Sequence, residues 1–456
     1  MKLVGRQTWE FENRPRIIGR AAVVGPEEGA GPLSADFDYV YDNLEIGEKT
    51  WEKGERKLLE QATQLALINA NITKEELQFF IGGDLLNQII SSSFSARKLG
   101  APYLGIFGAC STSMESLALA SLIVDSGGGD YVLAGTVSHN CTVEKQFRYP
   151  TEYGSQKPPY AQYTVTGSGC GVVSRSGEGP VVTRATIGRV MDLGIKDPFN
   201  MGAAMAPAAA DTIVSHFRDT GLEPGYYDLI VTGDLASVGH PITKELLQKE
   251  GIPMEQTTFN DCGLMIYDRE KQPFVVAGGS GCGCSATVTY GHILNRMQKG
   301  DLKRVLVVAT GALLSPISYQ QGESIPCIAH AVAIEKEGQT MQFLWAFIVG
   351  GLICVVGQLL MDGVKLTPAH TMSTLVVAGA VADALGWYDP LVKFAGAGAS
   401  IPITSFGNSL VHGALTELEK VGWIGVITGI FDLTAAGISA AIIFSFLAAL
   451  VVRPKG

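Results

Sequence analysis

Two different hydrophobic patterns divide the chain near residue 340. Before it, short β-branched or apolar runs alternate with stretches whose apolar residues recur at helical spacing, which favours mixed α/β layers. After it, apolar residues form long runs at 343–361, 366–388, 390–415 and 421–452. The first is an uncharged run of about the length that crosses hydrocarbon. We therefore expect a soluble α/β domain at 1–337, a linker at 338–340 and an all-α integral-membrane domain with three or four hydrophobic segments at 341–456.

The soluble part is predicted to alternate strands with helices. The predicted strands are Ala21–Val24, Leu77–Gly82, Tyr131–Ala134, Gly169–Val173, Asp228–Val231, Phe274–Val276, Arg304–Ala309 and Ile328–Ile334. The predicted helices are Glu55–Asn69, Met114–Asp125, Ala203–Arg218 and Val288–Lys299.

An internal repeat appears when the two halves of this part, about 1–178 and 179–337, are overlaid. LQFFIGGDLLNQ (77–88) resembles YDLIVTGDLASV (227–238), and DYVLAGTVSHN (130–140) resembles KRVLVVATGALLS (303–315). GSGCGVVSRSGEG (167–179) then resembles IPCIAHAVAIEKEG (325–338). Three echoes in the same order predict a duplicated α/β unit.

Charge and cysteine content limit the classes of partner and the cellular compartment that fit this chain. The net charge is −10, and residues 341–456 carry only 5 of the 34 basic and 6 of the 44 acidic residues. An acidic chain without a basic stripe argues against nucleic acid as a partner. The 8 cysteines show neither a CxxC pair nor zinc-binding spacing, which predicts reduced thiols in a cytosol-like compartment. The charged N-terminus does not read as a signal peptide.

The segment GIFGACSTSMESLALAS (105–121) carries the most chemical information in the soluble part. Small residues precede an amphipathic run, and Ser111 or Thr112 can serve as N-cap, so we expect Cys110 at a strand-to-helix elbow. Unpaired N–H groups and the positive end of the helix favour a thiolate or a bound anion there. A small buried core thiol is the alternative.

Two ionisable residues stand out in the hydrophobic C-terminal part. Asp383 and Asp432 lie within the apolar runs, where a charge is costly and often functional, so both are candidates for a solute or proton path. Asp383 equally suits a position at the membrane interface. The run at 390–415 is rich in Gly and Ser around Pro402, which predicts a broken or re-entrant helix.

A cysteine at such a turn in a duplicated α/β chain resembles the thiolase and ketoacyl-synthase superfamily. VGHP (238–241) is similar to its G-H-P element, and GGSGCGCSATVTYGH (278–292) resembles its glycine-rich loop. The resemblance implies thiolase-like α/β/α/β/α layers and a dimer formed through this domain. If the protein is an enzyme, it implies Cys110 as nucleophile with His240.

A closer resemblance covers residues from about 19 to 335. SHNCTVEKQFRYPTEYGSQKPPYAQYTVTGSG (138–169), FNMGAAMAPAAADT (199–212) and GGSGCGCSA are similar to the stage V sporulation protein AD family, which binds dipicolinic acid. This resemblance implies ligand binding without turnover, calcium as a companion of dipicolinate and no other cofactor. The ligand-binding candidates are Asp84, Cys110, Ser111, Ser138, His139, Asn140, Arg148, Lys157, His240 and Cys282.

Several of these candidates also have an ordinary structural interpretation. Asp84 suits a turn cap, Arg148 and Lys157 suit exposed surface charges, and His216 on an alanine-rich helix suits a packing role. An acyl-condensing or thiolytic enzyme anchored to a membrane remains the alternative function. A scaffold with a vestigial pocket is a third.

The C-terminal part resembles a second family. MQFLWAFIVGGLICVVGQLLMD (341–362) and TPAHTMSTLVVAGAVADALGWYDPL (367–391) are similar to the stage V sporulation AC/AEB membrane family, particularly its AEB branch. The two resemblances together imply a fusion of two neighbouring operon products in the spore inner membrane. Its expected partners are dipicolinic acid, other membrane proteins of that operon and lipid, and its expected role is dipicolinate transport in sporulation and germination.

Overall fold

The computed structural model describes residues 1–147, 157–336 and 339–429. The division into two compact units falls between Glu337 and Gly338. The strands of the first unit are β1 (Lys2–Val4), β2 (Thr8–Glu10), β3 (Arg16–Val24), β4 (Tyr39–Val40), β5 (Phe79–Asp84), β6 (Tyr103–Gly105), β7 (Tyr131–Ser138), β8 (Tyr163–Thr164), β9 (Gly167–Ser174), β10 (Val181–Ile187), β11 (Leu229–Thr232), β12 (Thr258–Asp261), β13 (Gly279–Ser280), β14 (Arg304–Ala312) and β15 (Cys327–Glu335).

The helices of the first unit are α1 (Pro26–Gly29), α2 (Trp51–Ala70), α3 (Ile90–Leu99), α4 (Thr112–Ser126), α5 (Asn140–Phe147), α6 (Met201–Thr220), α7 (Ala236–Lys249), α8 (Cys262–Met265), α9 (Cys282–Thr287), α10 (Leu294–Lys299) and α11 (Pro316–Gln320). Those described in the second unit are α12 (Gln339–Asp362), α13 (Pro368–Ala384), α14 (Tyr388–Ala395), α15 (Ala397–Ser400), α16 (Ile403–Val421) and α17 (Trp423–Gly429).

The main sheet has two equivalent halves. From the middle outward, the first half runs β3–β9–β7–β5–β6 and the second β10–β15–β14–β11–β12. In each half the first two pairings are antiparallel and the last two are parallel. The three sequence echoes fall on β5 and β11, β7 and β14, and β9 and β15. The predicted repeat is therefore present in the sheet.

Alternating side chains on the strands build three separate cores. On β7, Val132 and Ala134 face the central core, whereas Leu133 packs under α2 with Leu58 and Leu59. On β14, the side chains alternate likewise between the central core and a third core under α6. Helix α4 contributes Met114 and Leu117 to the central core. The layer order is thus α/β/α/β/α, because period-two alternation gives each half-sheet two apolar faces.

One predicted strand is wrong. Residues Phe274–Val276 form a loop, in which Val275 is buried while Phe274 and Val276 are exposed. Pro273 precedes this run, and proline cannot donate to a strand ladder. The predicted helices Glu55–Asn69, Met114–Asp125 and Ala203–Arg218 are confirmed as α2, α4 and α6. The fourth, Val288–Lys299, is helical throughout, but its first half, Val288–Ile293, is a π-helix that leads into α10.

The second unit is helical throughout its described part. Phe343–Asp362 of α12, 20 residues with a mean hydropathy of 2.3, is the one helix among the described residues that is long and apolar enough to cross a membrane. Helix α13 has 17 residues. The expected break in the third run is confirmed, because α14, α15 and α16 are separated at Gly396 and before Ile403. The further spans stay predictions, and most of the fourth run lies outside the described residues.

Candidate ligand-binding site

Cys110 lies on the predicted elbow. A single 3-10 turn, Ala109–Ser111, joins the end of β6 to α4, and Ala109 has a positive φ of 51°. Ser111 occupies the N-cap position, but its hydroxyl donates to the carbonyl of Gly108 at 2.6 Å. Gly311, on β14 of the second half, packs directly against this turn. A Cβ on Gly311 would lie 2.2 Å from Gly108 O and 3.2 Å from Cys110 N. Only a glycine fits at that position on β14.

The thiol of Cys110 faces a carboxylate. The Asp234 side chain lies within hydrogen-bonding range of the Cys110 sulfur. Burial, followed by the charge of Asp234, holds the pKa of Cys110 well above its ordinary value. This direction favours the protonated thiol, which is the buried-thiol alternative, over the thiolate expected at a helix end.

Asp234 is the centre of a buried hydrogen-bond network. Thr310 Oγ1 donates to Oδ1 at 2.6 Å, while Ser280 Oγ and Gly281 N donate to Oδ2 at 3.1 and 3.0 Å. Burial raises the pKa of Asp234, and these donors, together with Cys110, oppose that rise. The network ties the second GD turn to both β14 and the glycine-rich loop.

Cys282 occupies the equivalent elbow of the second half and faces the first half. It begins α9 after Gly281, whose φ is 99°, and its thiol donates to Val137 O on β7 at 3.0 Å. Cys282 and Cys110 belong to one small apolar cluster with Leu85 and Val143. Each elbow therefore inserts its cysteine toward the other half-sheet.

A small apolar cavity lies beside Cys110. Its volume is about 30 Å³, and none of its described lining residues is charged. Thr164 and Ser280 are the polar ones. The lining consists of Leu85, Phe107, Ala109, Cys110, Val143, Phe147, Thr164, Met201, Ser280, Ala312 and Leu314. This volume is about that of one water molecule in the liquid.

Three predicted site residues on the end of β7 use their polar groups within the fold. Ser138 Oγ donates to Val165 O at 2.7 Å and accepts Gly283 N at 3.1 Å. Asn140 Nδ2 donates to Thr164 O at 3.3 Å. His139 Nε2 bonds Leu44 O at 2.7 Å, and burial lowers the pKa of His139. None of the three lines the described cavity.

His240 and the other imidazoles of the first unit lie elsewhere. The His240 ring stacks on Phe259 with centroids 4.4 Å apart, and burial lowers its pKa to about 4. The remaining rings are bonded to other groups, namely His216 to Thr186 and Tyr227, His292 to Asp36, and His330 to the Gly188 amide. Among the described residues no hydrogen bond joins Cys110 to His240, and their pairing in the enzyme alternative stays a prediction.

Two of the three charged candidates, Asp84 and Lys157, already have partners within the fold. Asp84 accepts Leu86 N at 2.9 Å and Ser92 N at 2.7 Å, so it caps the first turn of α3, and burial raises its pKa to about 6. Lys157 Nζ pairs with Glu144 at 2.9 Å. Arg148 lies outside the described residues.

Sequence reasoning missed Asp234, Thr164 and Ser280. A signal for Asp234 was present, because the GGD turn at 82–84 and the TGD turn at 232–234 are equivalent in the repeat. Only the first of the two aspartates was selected. Thr164 and Ser280, on the paired strands β8 and β13, carry no comparable signal.

In the second unit, Asp383 lies at the end of α13. Its carboxylate, that of Asp389 and the imidazole of His412 bring ligand atoms within 4.8 Å of one another. Asp432 lies outside the described residues. The membrane-path role of both aspartates stays a prediction.

Comparison with known proteins identifies two families in the chain. The family model of stage V sporulation protein AD matches residues 5–335, and that of the SpoVAC/SpoVAEB sporulation membrane protein matches residues 342–451. Stage V sporulation protein AD of Bacillus subtilis (strain 168) is 53% identical over 338 residues, covering 74% of this chain and 99% of that protein. Stage V sporulation protein AC of the same organism is 36% identical over 115 residues, covering 24% of this chain and 74% of that protein.

Solved structures of condensing enzymes are also similar. The 3-oxoacyl-[acyl-carrier-protein] synthase III from Aquifex aeolicus VF5 is 16% identical, with a TM-score of 0.44, and the match covers 71% of this chain and 100% of that one. Cerulenin-bound Xanthomonas campestris OleA is 16% identical, with a TM-score of 0.47, over 72% of this chain and 100% of that one.

Proposed function

The chain belongs to the stage V sporulation protein AD family and, through its second unit, to the SpoVAC/SpoVAEB membrane family, and we propose that it binds dipicolinic acid. Bound ligand, alone or as the calcium salt, is handed to a transport path across the spore inner membrane. This transfer takes place during spore formation and again during germination. The proposal is supported by the union of a pocket-bearing α/β unit and a membrane-family unit in one polypeptide.

The raised pKa of Cys110 is what favours binding over turnover. A cysteine nucleophile is activated by an adjacent general base such as histidine or by a lowered pKa. Among the described residues no hydrogen bond joins Cys110 to an imidazole, and burial together with the charge of Asp234 raises its pKa. A protonated thiol is a weak nucleophile, but it can line an apolar pocket.

The cavity beside Cys110 has to widen before it can hold a pyridine ring. At about 30 Å³ it has room for a water molecule only. Phe107 is 48% exposed, so its side chain is free to swing outward without leaving a buried void. The Thr164 and Ser280 hydroxyls can then donate to a carboxylate, while the apolar walls cover the ring.

Covalent linkage keeps the binding unit on the same polypeptide as the proposed path. Attachment to a membrane unit raises the local ligand concentration there without any new contact. Asp383 and Asp432 are the proposed polar groups of that path, and other membrane proteins of the stage V sporulation A type are the proposed partners, together with lipid.

The first unit is proposed to form a dimer through β6. This strand is the outer one of its half-sheet, and Leu104 on it is 47% exposed. A second copy would cover this edge by strand pairing across a twofold axis.

Calorimetric titration of the full chain in detergent with dipicolinate, with and without calcium, tests the proposal. We expect saturable binding that Ala312→Phe abolishes by filling the cavity, whereas the exposed Ala35→Phe leaves binding unchanged. Melting curves of both variants report whether they fold. Absence of dipicolinate binding by the folded parent chain would overturn the proposal.

Acyl-CoA turnover separates this function from the enzyme alternative. We expect no steady turnover by the full chain. Turnover that Cys110→Ala abolishes would establish a condensing or thiolytic enzyme instead.

A further inference from the structure

A second cleft lies on the outer face of the second half of the sheet. Its volume is about 260 Å³, close to the lower end of small-molecule pockets, about 300 Å³. Five of its six lining residues are polar: Arg6, Gln7, Arg189, Ser215 and Arg218, with Ile187 the sixth. We call this the arginine cleft. It shares no residue with the cavity beside Cys110.

Asp219 fixes the turn that carries Arg6. Its carboxylate Oδ2 accepts Gln7 N at 2.9 Å and Thr8 Oγ1 at 3.1 Å, at the C-terminal end of α6. Gly5 has a φ of 60°, and a Cβ there would lie 2.5 Å from the Asp219 side chain. The β1–β2 turn is therefore clamped onto α6, which places Arg6 at the cleft rather than on a loose terminus.

The other two guanidinium groups are also oriented by neighbours. Arg189 makes a two-pronged contact with Asp211, with Nε to Oδ2 at 2.9 Å and Nη2 to Oδ1 at 2.5 Å. Arg218 Nη2 donates to the buried Ser215 hydroxyl at 3.1 Å, and its Nε lies 3.5 Å from Asp219 Oδ1. Both side chains are held in place yet remain more than half exposed, at 64% and 57%.

Arg6 is the cation without a carboxylate partner. Within the described residues it makes no ion pair, and it is exposed to solvent. Three guanidinium groups against the two carboxylates of Asp211 and Asp219 leave the arginine cleft with one uncompensated positive charge. Arginine groups that are pre-oriented in this way suit planar, paired oxygen acceptors.

We propose that the arginine cleft binds a compact dianion whose charge lies on carboxylate or phosphate oxygens. Arg6 supplies the unpaired charge, and Arg189 and Arg218 direct their outward N–H groups at the oxygens. The inference does not rest on the proposed function, because it uses no residue of the Cys110 cavity. Along α6, Met201 at that cavity and Arg218 at the cleft are about 25 Å apart.

Titration of the full chain in detergent with dipicolinate and, separately, with inorganic phosphate tests this site. We expect Arg6→Ala and Arg218→Ala to weaken binding of at least one dianion about tenfold, because each removes a charge-assisted hydrogen bond. Arg6→Lys should lose less, since it keeps the charge. Arg269→Ala, an exposed arginine outside the cleft, is the matched control and should change nothing. Binding should also weaken as salt is raised.

The outcomes separate the two sites. The inference is overturned if neither dianion binds the parent chain, if both bind Arg6→Ala and Arg218→Ala as tightly as the parent, or if Arg269→Ala weakens binding equally. Dipicolinate binding that is lost in Ala312→Phe but unaffected by the arginine variants overturns the cleft and keeps the proposed function. Binding weakened in the arginine variants and unaffected by Ala312→Phe supports the cleft and moves the ligand away from Cys110.

Discussion

The thiol of Cys110 and the carboxylate of Asp234 face each other across the junction of the two half-sheets. Cys110 comes from the elbow that follows β6 in the first half, and Asp234 from the turn that follows β11 in the second. The negative charge of a neighbouring carboxylate opposes ionisation of a thiol, whereas a neighbouring cation promotes it. This pairing therefore favours the protonated and less nucleophilic form of Cys110.

Replacing Asp234 with Asn should make Cys110 more reactive. Loss of the carboxylate removes a charge that raises the pKa of Cys110, so the pH profile of its alkylation should move to lower pH. Site-resolved mass spectrometry after iodoacetamide treatment measures the rate. The exposed Asp301→Asn is the control, and an unmoved profile in Asp234→Asn would show that Asp234 does not set the reactivity of Cys110.

Gly311→Ala should lower the free energy of unfolding of the first unit by about 3 kcal/mol, or displace the turn at Ala109–Ser111. The new Cβ would lie 2.2 Å from Gly108 O, and neither backbone has room to retreat. Gly225→Ala is the matched control, because its nearest neighbour would be 3.4 Å away. Melting temperatures of both variants in the full chain compare them. Equal melting temperatures would contradict the close contact between β14 and the elbow.

Glu28→Gln should stabilise the protein above neutral pH. Glu28 is fully buried, accepts Thr166 N at 2.9 Å and the Tyr267 hydroxyl, and leaves Oε2 without a hydrogen-bond partner. Burial raises its pKa from 4.5 to about 7. Its contribution to folding is thus complete below pH 4.5 and lost as the pH rises through 7.

The difference between Glu28→Gln and the parent chain isolates this effect. We expect the variant to be about 2 kcal/mol more stable at pH 8, with the gain shrinking toward pH 5. Thermal unfolding at several pH values measures it, with the exposed Glu223→Gln as control. A gain independent of pH would mean that ionisation of Glu28 is not its source.

Gly379→Val should loosen the helices of the second unit. A Cβ on Gly379 of α13 would lie 1.9 Å from Thr404 O of α16, so the two backbones meet where no side chain fits. Gly351→Val on α12 is the control, since a Cβ there meets nothing within 4 Å. We expect a melting temperature lower by several degrees in detergent for Gly379→Val alone. An equal effect of the two variants would contradict the close helix contact.

Much of the architecture could be predicted from local sequence. Short β-branched or apolar runs located most strands, and the change to long apolar runs after residue 340 marked the second unit, because burial in a sheet and exposure to lipid leave different patterns. Phe274–Val276 was the exception, since an apolar triplet behind a proline fits a loop as well as a strand. The elbow at Cys110 followed from small residues ahead of a helical repeat.

The candidate site was harder to predict. Ser138, His139 and Asn140 lie on the expected turn, yet their polar groups point into the fold and satisfy backbone groups at Val165, Leu44 and Thr164. A sequence indicates which residues can donate or accept. It does not indicate which hydrogen-bond partner lies next to each of them in the folded chain.

The sequence alone determined the family, the two-unit division, the internal repeat and the elbow at Cys110, because each is written in contiguous patterns. Only the tertiary structure decided that Cys110 faces Asp234, 124 positions later in the chain, and that Arg6 meets Arg218 in a cleft. The ionisation state of a thiol and the charge of a cleft depend on burial and on groups brought together by folding, and neither is carried by neighbouring residues in the chain.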